Sequence, residues 1–194
     1  CNICEGYGMT ETSPVATVNP IQNIQIGTIG IPVPSTLCKV ITDDGVELAL
    51  GEVGELCVKG PQVMKGYWQR EDATAEILDS EGWLKTGDVG YRDDAGYVYL
   101  YDRVKDMIVS GGENVYPVEV ENVLMAHPQV ADVAVIGVPD DTWGEAVKAV
   151  VVPATEAALD PADLIRFARD RLAGFKLPKS VDFAAELPRN PSGK

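Results

Sequence analysis

Residues 102–117 have the sequence DRVKDMIVSGGENVYP. This stretch separates two parts of the chain that differ in their predicted secondary-structure pattern. Before it, residues 1–102 contain short apolar runs bounded by glycine, proline or Asp-Gly, a pattern typical of strands joined by turns. After it, strand-like runs alternate with segments that carry helix signals. We therefore predict an α+β fold, with a β-rich part over residues 1–102, a small α+β part over residues 103–194 and a junction near residues 102–106.

The strands are predicted from β-prone runs in both parts of the chain. Three runs lie in the β-rich part, and two lie in the small part, where a Pro-Asp-Asp turn separates them. The runs are Cys38–Thr42, Glu55–Lys59, Tyr97–Tyr101, Val130–Val138 and Ala146–Val152.

Two helices are predicted in the small part. Pro117 opens the first helix, since proline is favoured at the first helical position. The second helix has Asp160 as its N-cap, Pro161 at the first helical position and Gly174 as its stop signal. The apolar faces are predicted to comprise Val120, Val123, Leu124 and His127 in the first helix, and Leu164, Ile165, Ala168 and Leu172 in the second.

Composition excludes several classes of function. The chain has 16 basic and 30 acidic residues, a net charge of −14, which argues against nucleic-acid binding because the phosphate backbone would be repelled. No apolar run approaches the roughly 20 residues of a membrane span, and no signal peptide opens the chain. We expect a cytoplasmic protein and leave peripheral membrane association open. Because Cys1 is not preceded by Met and Lys194 is followed by no closing element, we expect an upstream part of the same polypeptide as a partner.

The four cysteines do not predict a metal site. Cys1 and Cys4 have the C-x-x-C spacing of zinc and redox motifs, but Cys38 and Cys57 lie far apart and His127 is the only histidine. A structural zinc site usually needs two closely spaced ligand pairs. We therefore predict free thiols in a reducing compartment.

The first motif that can carry chemistry is the loop 5–12, EGYGMTET. Glycines on both sides of Tyr7, including Gly8, let the backbone approach a ligand closely. The Tyr7 ring can cover a flat base, the Thr10 hydroxyl can bond a phosphate oxygen, and the Glu11 carboxylate can hold Mg²⁺. An ordinary turn is the alternative interpretation.

The second motif combines residues 85–90, KTGDVG, with residues 102–106, DRVKD. A carboxylate at the end of a short strand, such as Asp88, is suited to binding two ribose hydroxyls. Arg103, at the end of the following strand, is placed to bond the same sugar. Taken separately, Asp88 is also a common turn residue and Arg103 a common surface charge.

Two further motifs lie in the small part. Gly111-Gly112 follows a β run and is predicted to stand directly before a helix start, where exposed backbone N–H groups form a narrow passage or a phosphate nest. A plain connecting loop is the alternative. Residues 188–194, PRNPSGK, present Lys194 at the tip of an extended loop, where a solvated charge is the alternative.

Taken in this order, the four motifs resemble those of the adenylate-forming superfamily of acyl-CoA synthetases, which includes aryl-CoA ligases, luciferase-type enzymes and peptide-synthetase adenylation domains. The resemblance covers essentially the whole chain. Over residues 4–20, 61–70 and 106–119 the amino-acid sequence most resembles that of bacterial long-chain fatty-acid–CoA ligases. It implies ATP, Mg²⁺, coenzyme A and a fatty acid as ligands.

The resemblance also implies domains and roles. Residues 1–102 would be the end of the large AMP-binding domain, and residues 103–194 the small domain, ending just after its catalytic lysine. The implied nucleotide roles are adenine stacking by Tyr7 beside Gly8, phosphate contact by Thr10, Mg²⁺ binding by Glu11 and ribose binding by Asp88 and Arg103. The implied roles in the small domain are a hinge at Lys105, a pantetheine passage along Gly111 and Gly112, and bridging of the carboxylate and α-phosphate by Lys194.

The family's Ser/Thr/Gly-rich phosphate loop and most of its acyl pocket would lie upstream of Cys1, so we expect the isolated chain to be inactive. Three alternatives stay open. A peptide-synthetase adenylation domain is disfavoured because such domains usually have Asp at the hinge, where this chain has Lys105. An aryl- or short-chain acyl-CoA ligase is the second, and a non-catalytic folding or partner-binding module is the third.

Overall fold

The computed structural model of the chain describes residues 3–154 and 159–188. The chain divides into two compact units, residues 1–104 (the first unit) and residues 105–194 (the second unit), and each is described by itself. Strands and helices occur in both units, so the predicted mixture of α and β structure is confirmed. Within the described ranges, no helix is both long and apolar enough to cross a bilayer.

The first unit consists mainly of antiparallel strands. Their bounds are Gly6–Tyr7 (β1), Thr17–Val18 (β2), Ile31–Pro32 (β3), Leu37–Ile41 (β4), Gly54–Lys59 (β5), Leu84–Arg92 (β6) and Val98–Arg103 (β7). β1, β2 and β3 form one small sheet, and β4, β5, β6 and β7 pair in chain order to form a second. The three strands predicted here are therefore confirmed to within a few residues.

One face of the four-stranded sheet supplies the core of the first unit. Side chains alternate between the two faces of a strand, so every second residue of β4 and β5 points into this core. Its buried members are Ala16, Cys38, Val40, Leu56, Val58 and Val98. Tyr7 packs against this group from β1, and this contact brings a predicted functional residue to the edge of the core.

A short helix, Glu71–Ile77 (α1), lies between β5 and β6 in a region for which only strands were predicted. None of its residues is buried, and its N-cap, Arg70, makes no side-chain capping hydrogen bond. The sequence lacks a capping residue here, and its helix signals are limited to the acidic first turn, Glu71 and Asp72, and a partly buried face that includes Ala73 and Ile77.

The second unit is a five-stranded sheet with two helices in its described residues. The elements are Ile108–Ser110 (β8), Glu113–Val115 (β9), Pro117–Met125 (α2), Val130–Asp140 (β10), Gly144–Pro153 (β11), Pro161–Arg169 (α3) and Ser180–Phe183 (β12). β11 pairs antiparallel with β10 and β8 and parallel with β12, while β9 pairs antiparallel with β8. The two predicted strands are confirmed as the hairpin formed by β10 and β11.

The predicted helices are confirmed, but their ends differ from expectation. α2 begins at Pro117 and ends at Met125, so His127 lies beyond it and packs edge-on against Phe167, with ring centroids 4.9 Å apart. In α3, Asp160 caps the helix as predicted, since its Oδ1 accepts a hydrogen bond from Ala162 N at 2.9 Å.

The prediction that Gly174 stops α3 is wrong. The helix ends at Arg169, and Gly174 instead begins a separate 3₁₀ turn, Gly174–Lys176. Leu172 was assigned to the apolar face of the helix, but it reaches the core from the turn that follows Asp170. An apolar position one turn beyond a helix end can therefore keep the helical spacing without being helical.

The core of the second unit lies between the sheet and the two helices. It draws on the apolar faces of β10, β11, α2 and α3, as the periodicity of these segments predicts. Its buried residues are Ile108, Val115, Val120, Leu124, Val130, Val133, Val135, Val147, Ala149, Val151, Leu159, Leu164, Ala168 and Leu172.

Candidate active site

Asp88 is the centre of a polar cluster in the first unit. The pairing of β6 with β7 places Asp88 directly opposite Arg103, and Arg103 Nε lies 3.3 Å from Asp88 Oδ1. Tyr7 Oη donates a hydrogen bond to the other oxygen, Asp88 Oδ2, at 2.5 Å. The structure thus brings together three predicted nucleotide-binding residues that come from β1, β6 and β7.

Burial determines the charge state of this cluster. The side chain of Asp88 is only 14% exposed, whereas that of Arg103 is 55% exposed. Burial, followed by the hydrogen bond and the charge of Asp88, raises the pKa of the Tyr7 hydroxyl well above its ordinary value. Tyr7 therefore stays neutral at physiological pH and acts as the hydrogen-bond donor to the carboxylate.

Two neighbouring side chains orient the turn that carries Asp88. Thr86 Oγ1 accepts a hydrogen bond from Asp88 N at 3.1 Å and donates one to Leu56 O at 2.8 Å. Glu55 Oε1 accepts a hydrogen bond from Gly87 N at 3.1 Å, and Gly87 has the positive φ of 73° that suits glycine. Neither Glu55 nor Thr86 was predicted to support the site. The Thr in Thr86-Gly87-Asp88 was the available signal, because Ser and Thr hydroxyls often bond backbone groups in turns.

The predicted nucleotide loop continues from Tyr7 through Gly8 to the 3₁₀ turn Thr10–Thr12. At Gly8, an added Cβ would lie only 1.6 Å from Pro14 O, so this close approach of two backbone segments requires glycine. Thr10 is exposed at the start of the turn, where its hydroxyl is accessible to a ligand.

Glu11, the predicted metal ligand, lies in the same turn and is half-buried. Tyr67 Oη donates a hydrogen bond to Glu11 Oε1 at 2.6 Å, and Met64 N donates one to Glu11 O at 2.8 Å. The described residues include no group of three or more His, Cys, Asp or Glu side chains arranged to hold a metal ion. A single carboxylate fits a Mg²⁺ ion whose other ligands are nucleotide phosphates and water.

The predicted residues of the second unit lie on two backbone turns. Lys105 is exposed in the 3₁₀ turn Val104–Asp106, next to the division between the two compact units. Gly111 and Gly112 form the two-residue loop of the hairpin between β8 and β9, with φ values of 63° and 85°. Positive φ at both loop positions is characteristic of the tight hairpin turns that glycine favours.

The prediction that Gly111-Gly112 stands directly before a helix is wrong. β9 follows the two glycines, and α2 begins only at Pro117. The short run Glu113–Val115 pairs with β8 because the glycine turn reverses the chain within two residues. The glycine N–H groups therefore do not form a helix N-terminus.

Trp143 is a neighbour of this turn that the motif analysis missed. Gly111 N donates a hydrogen bond to Trp143 O at 2.9 Å, and a Cβ added at Gly111 would lie 2.7 Å from the Trp143 ring. Trp143 is 47% exposed, and Lys179 Nζ lies 5.3 Å from its ring centroid. An exposed aromatic ring that packs on a glycine turn was not recognisable from spacing, since 31 residues separate Gly112 from Trp143.

The last predicted site residue, Lys194, lies outside the described residues, together with most of the motif 188–194. Of the cysteines, Cys4, Cys38 and Cys57 are free thiols, as predicted, while Cys1 lies outside the described ranges.

Two family models match the chain. The model of the AMP-binding enzymes matches residues 1–68, and the model of the AMP-binding enzyme C-terminal domain matches residues 119–194. Among solved structures, the chain is similar to ATP-bound MatB from Rhodopseudomonas palustris, with a TM-score of 0.92 and 42% identity over 98% of this chain and 38% of that one. It is also similar to o-succinylbenzoate CoA synthetase from Bacillus subtilis in complex with its acyl-adenylate intermediate, with a TM-score of 0.85 and 40% identity over 98% of this chain and 39% of that one.

Curated relatives agree with these matches. The long-chain-fatty-acid–CoA ligase of Salmonella typhimurium is 53% identical over 99% of this chain and 34% of the relative. The feruloyl-CoA synthase of an Amycolatopsis species is 50% identical over 98% of this chain and 39% of the relative. The chain thus spans 34 to 39% of the length of these relatives.

The fold, the Asp88 cluster and these matches place the chain in the family of adenylate-forming AMP-binding enzymes. Within that family it is similar, over nearly its whole length, to acyl-CoA synthetases, including long-chain fatty-acid–CoA ligases.

Proposed function

We propose that this chain is the carboxyl-terminal part of an ATP-dependent acyl-CoA ligase, acting on long-chain fatty acids in the cytoplasm. The observation that carries the proposal is the Asp88 cluster, in which Tyr7 and Arg103 each contact one carboxylate oxygen. A half-buried carboxylate held in this way is suited to accept hydrogen bonds from a pair of sugar hydroxyls. The similarity to a long-chain-fatty-acid–CoA ligase supports the choice of substrate.

The first unit would bind the nucleotide. Asp88 accepts hydrogen bonds from the ribose hydroxyls, and Arg103, which is more than half exposed, turns toward the same sugar. Because its hydroxyl is anchored on Asp88, the Tyr7 ring is held in one orientation, ready to stack on adenine. The close approach at Gly8 brings this backbone to the ligand, and the exposed Thr10 hydroxyl bonds the phosphates.

Glu11 would provide one ligand of the Mg²⁺ that accompanies ATP. Mg²⁺ is usually held by one or two carboxylates together with substrate phosphates and water, which agrees with a single carboxylate at this position. When bound, the ion neutralises charge on the phosphate oxygens. The half-buried position of Glu11 limits the conformations of its side chain.

The adenylation step joins the fatty acid to AMP. A carboxylate oxygen attacks the α-phosphorus of ATP, the bond from that phosphorus to the bridging oxygen breaks, and pyrophosphate leaves. Negative charge increases on the α-phosphate oxygens during attack, so a cation held there stabilises the transition state. In our proposal Lys194 is that cation, and it bridges the carboxylate and the α-phosphate.

The second step would use the second unit. The thiolate of coenzyme A attacks the acyl carbon, the bond to the AMP oxygen breaks, and AMP leaves. Lys105 lies at the boundary between the units. It serves as the hinge for a rotation that brings different residues to the reacting atoms in each of the two steps. Gly111 and Gly112, which have no side chains to obstruct a narrow passage, lie beside the pantetheine arm.

An aryl-CoA ligase is the second candidate, because the feruloyl-CoA synthase relative is almost as similar to this chain as the fatty-acid enzymes. The side chains that choose between an alkyl and an aryl acid would come from the rest of the polypeptide, since this chain spans 34 to 39% of such relatives. A peptide-synthetase adenylation domain and a non-catalytic module are the remaining alternatives.

The test is pyrophosphate release by a full-length polypeptide that carries this chain, assayed with ATP, Mg²⁺ and either palmitate or ferulate. We expect palmitate to be activated faster and coenzyme A to be acylated afterwards. Preference for ferulate would favour the aryl alternative, and transfer to a carrier protein instead of free coenzyme A would favour a peptide synthetase. If no acid leads to pyrophosphate release, the result would favour the alternative that the chain is a non-catalytic module. The isolated 194-residue chain is expected to release no pyrophosphate.

A further inference from the structure

Tyr67 has no role in the function proposed so far, yet its hydroxyl contacts the carboxylate proposed to bind Mg²⁺. Tyr67 Oη donates to Glu11 Oε1 at 2.6 Å across a sequence separation of 56 residues. Met64, three residues earlier in the same segment, donates its backbone N–H to Glu11 O at 2.8 Å. One segment therefore holds both the backbone and the side chain of Glu11.

The position of Tyr67 is fixed by the first turn of α1 and not by burial of its own ring, which is 39% exposed. Tyr67 N donates a hydrogen bond to Thr74 Oγ1 at 2.9 Å. The Thr74 hydroxyl in turn donates a hydrogen bond to Arg70 O at 2.7 Å. Gly66 lets the chain pass close to this helix, because a Cβ added there would lie 2.9 Å from Thr74 Cγ2. These contacts fix the backbone of Tyr67, from which its side chain reaches Glu11.

A carboxylate has two oxygens, and an unrestrained glutamate can turn either of them toward a cation. The hydrogen of the Tyr67 hydroxyl lies against Oε1 and disfavours a cation on that side, so Oε2 is the oxygen better placed for a metal ion. Such fixing of one ligand orientation lowers the entropy cost of binding the ion.

We propose that Tyr67 is a positioning residue that holds Glu11 Oε1, so that Oε2 binds the divalent cation of the metal–nucleoside triphosphate. This inference rests on the proposed role of Glu11 and adds the residue that orients it. The ring of Tyr67 itself contacts neither nucleotide nor acyl group in this assignment.

The variant that tests the proposal is Tyr67→Phe in the full-length polypeptide, because it removes the hydroxyl and keeps the ring. Loss of one hydrogen bond should raise the Mg²⁺ concentration needed for half-maximal adenylation by roughly 3- to 10-fold. At saturating Mg²⁺ the rate should recover to within about twofold, since only the metal affinity has changed. Tyr91→Phe is the matched control, because it keeps the stacking of Tyr91 on Tyr99 at 4.6 Å and lies outside the proposed site.

A second measurement does not depend on turnover. Mn²⁺ binding is followed by electron paramagnetic resonance with an ATP analogue whose α,β-bridging oxygen is replaced by methylene. Tyr67→Phe should weaken Mn²⁺ binding in this complex by the same roughly 3- to 10-fold, while Tyr91→Phe binds like the parent. A lower rate in Tyr67→Phe with unchanged Mg²⁺ and Mn²⁺ dependence would overturn the proposal, as would no change at all.

Glu11→Gln separates this inference from the proposed function. If Glu11→Gln weakens Mn²⁺ binding and Tyr67→Phe does not, Glu11 keeps its proposed role and the positioning role of Tyr67 is wrong. If Glu11→Gln leaves the metal dependence unchanged, the proposed role of Glu11 is wrong and the inference about Tyr67 fails with it.

Discussion

The two units differ in how their cores relate to their candidate sites. In the first unit, a core cluster of six buried residues among those described borders the site directly, since Tyr7 packs against it and also donates to Asp88. In the described part of the second unit, a core cluster of 14 buried residues lies between the sheet and helices, while Gly111 and Gly112 are exposed at a hairpin tip.

This difference predicts different couplings between function and stability. Side chains that bind a ligand and also complete a core affect both properties when they are changed. A glycine turn at an exposed tip contributes to binding because it lacks side chains that would block a ligand. Substituting one of its glycines should therefore affect the local structure more than the distant core. The predictions below test this contrast, beginning with the largest expected effect.

Lys194→Ala should have the largest effect, and it should fall on one half-reaction. Removing a single electrostatic contact to a developing charge typically costs about 100- to 1000-fold in rate. We expect this loss in pyrophosphate release by the full-length polypeptide, whereas synthetic acyl-adenylate and coenzyme A should react at nearly the parental rate. An equal loss in both half-reactions would show that Lys194 does not act on the α-phosphate.

Asp88→Asn should weaken nucleotide binding through the core-bordering site of the first unit. The substitution keeps the shape of the side chain and removes the charge that accepts the ribose hydroxyls, and hydrogen bonds to a charged group are the stronger ones. The KM for ATP should rise by about 10- to 100-fold. Asp94→Asn, in the exposed turn between β6 and β7, is the matched control and should leave KM unchanged. A parental KM in Asp88→Asn would contradict the ribose assignment.

Gly111→Ala and Gly112→Ala compare the two positions of the hairpin turn. Both alanines would need positive φ, which costs roughly 1–2 kcal/mol for a residue with a Cβ. Only the Gly111 variant would also place its Cβ against the Trp143 ring, whereas the position at Gly112 is open. Hydrogen exchange of β8 and β9 should therefore increase more in Gly111→Ala than in Gly112→Ala, with little change in β10. Equal exchange in the two variants would mean that the Trp143 ring moves away from the new Cβ without destabilising the turn.

The last prediction concerns pH and again distinguishes the units. Burial raises the pKa of Cys38 to about 11 and that of Cys57 to about 12. Between the thiol pKa of the unfolded chain and these folded values, only the unfolded state releases the protons, so the free energy of unfolding falls as pH rises. The slope should be about 1.4 kcal/mol per pH unit for each thiol in this window, and stability below it should be unaffected.

Urea unfolding between about pH 8 and about pH 9.5, below the range in which unfolded tyrosines ionise, measures this slope. In a Trp143→Phe background, tryptophan fluorescence reports only Trp68 and Trp83, both in the first unit. Cys57→Ala should reduce the slope by about half, because one of the two buried thiols is removed. An unchanged slope in Cys57→Ala would contradict the assignment.

Short elements mark the limit of what local sequence signals can predict. α1 has no buried residue and no capping side chain, so its acidic first turn, Glu71 and Asp72, was a weak signal by itself. Gly111-Gly112 was predicted to stand directly before a helix, but residues 113–115 form a strand because the positive φ of both glycines turns the chain back onto β8. In both places neighbouring segments decided a conformation for which the local sequence has only a weak preference.

The sequence by itself determined the regular elements with strong periodicity or caps, such as β10, β11 and the Asp160-capped start of α3, and the motifs that identify the family. These signals act between residues close in the chain. Only the tertiary structure decided that Tyr7 donates to Asp88, 81 residues away, and that Tyr67 donates to Glu11, 56 residues away. Such contacts depend on strand register and on the packing of distant segments, and no spacing within a single motif encodes either.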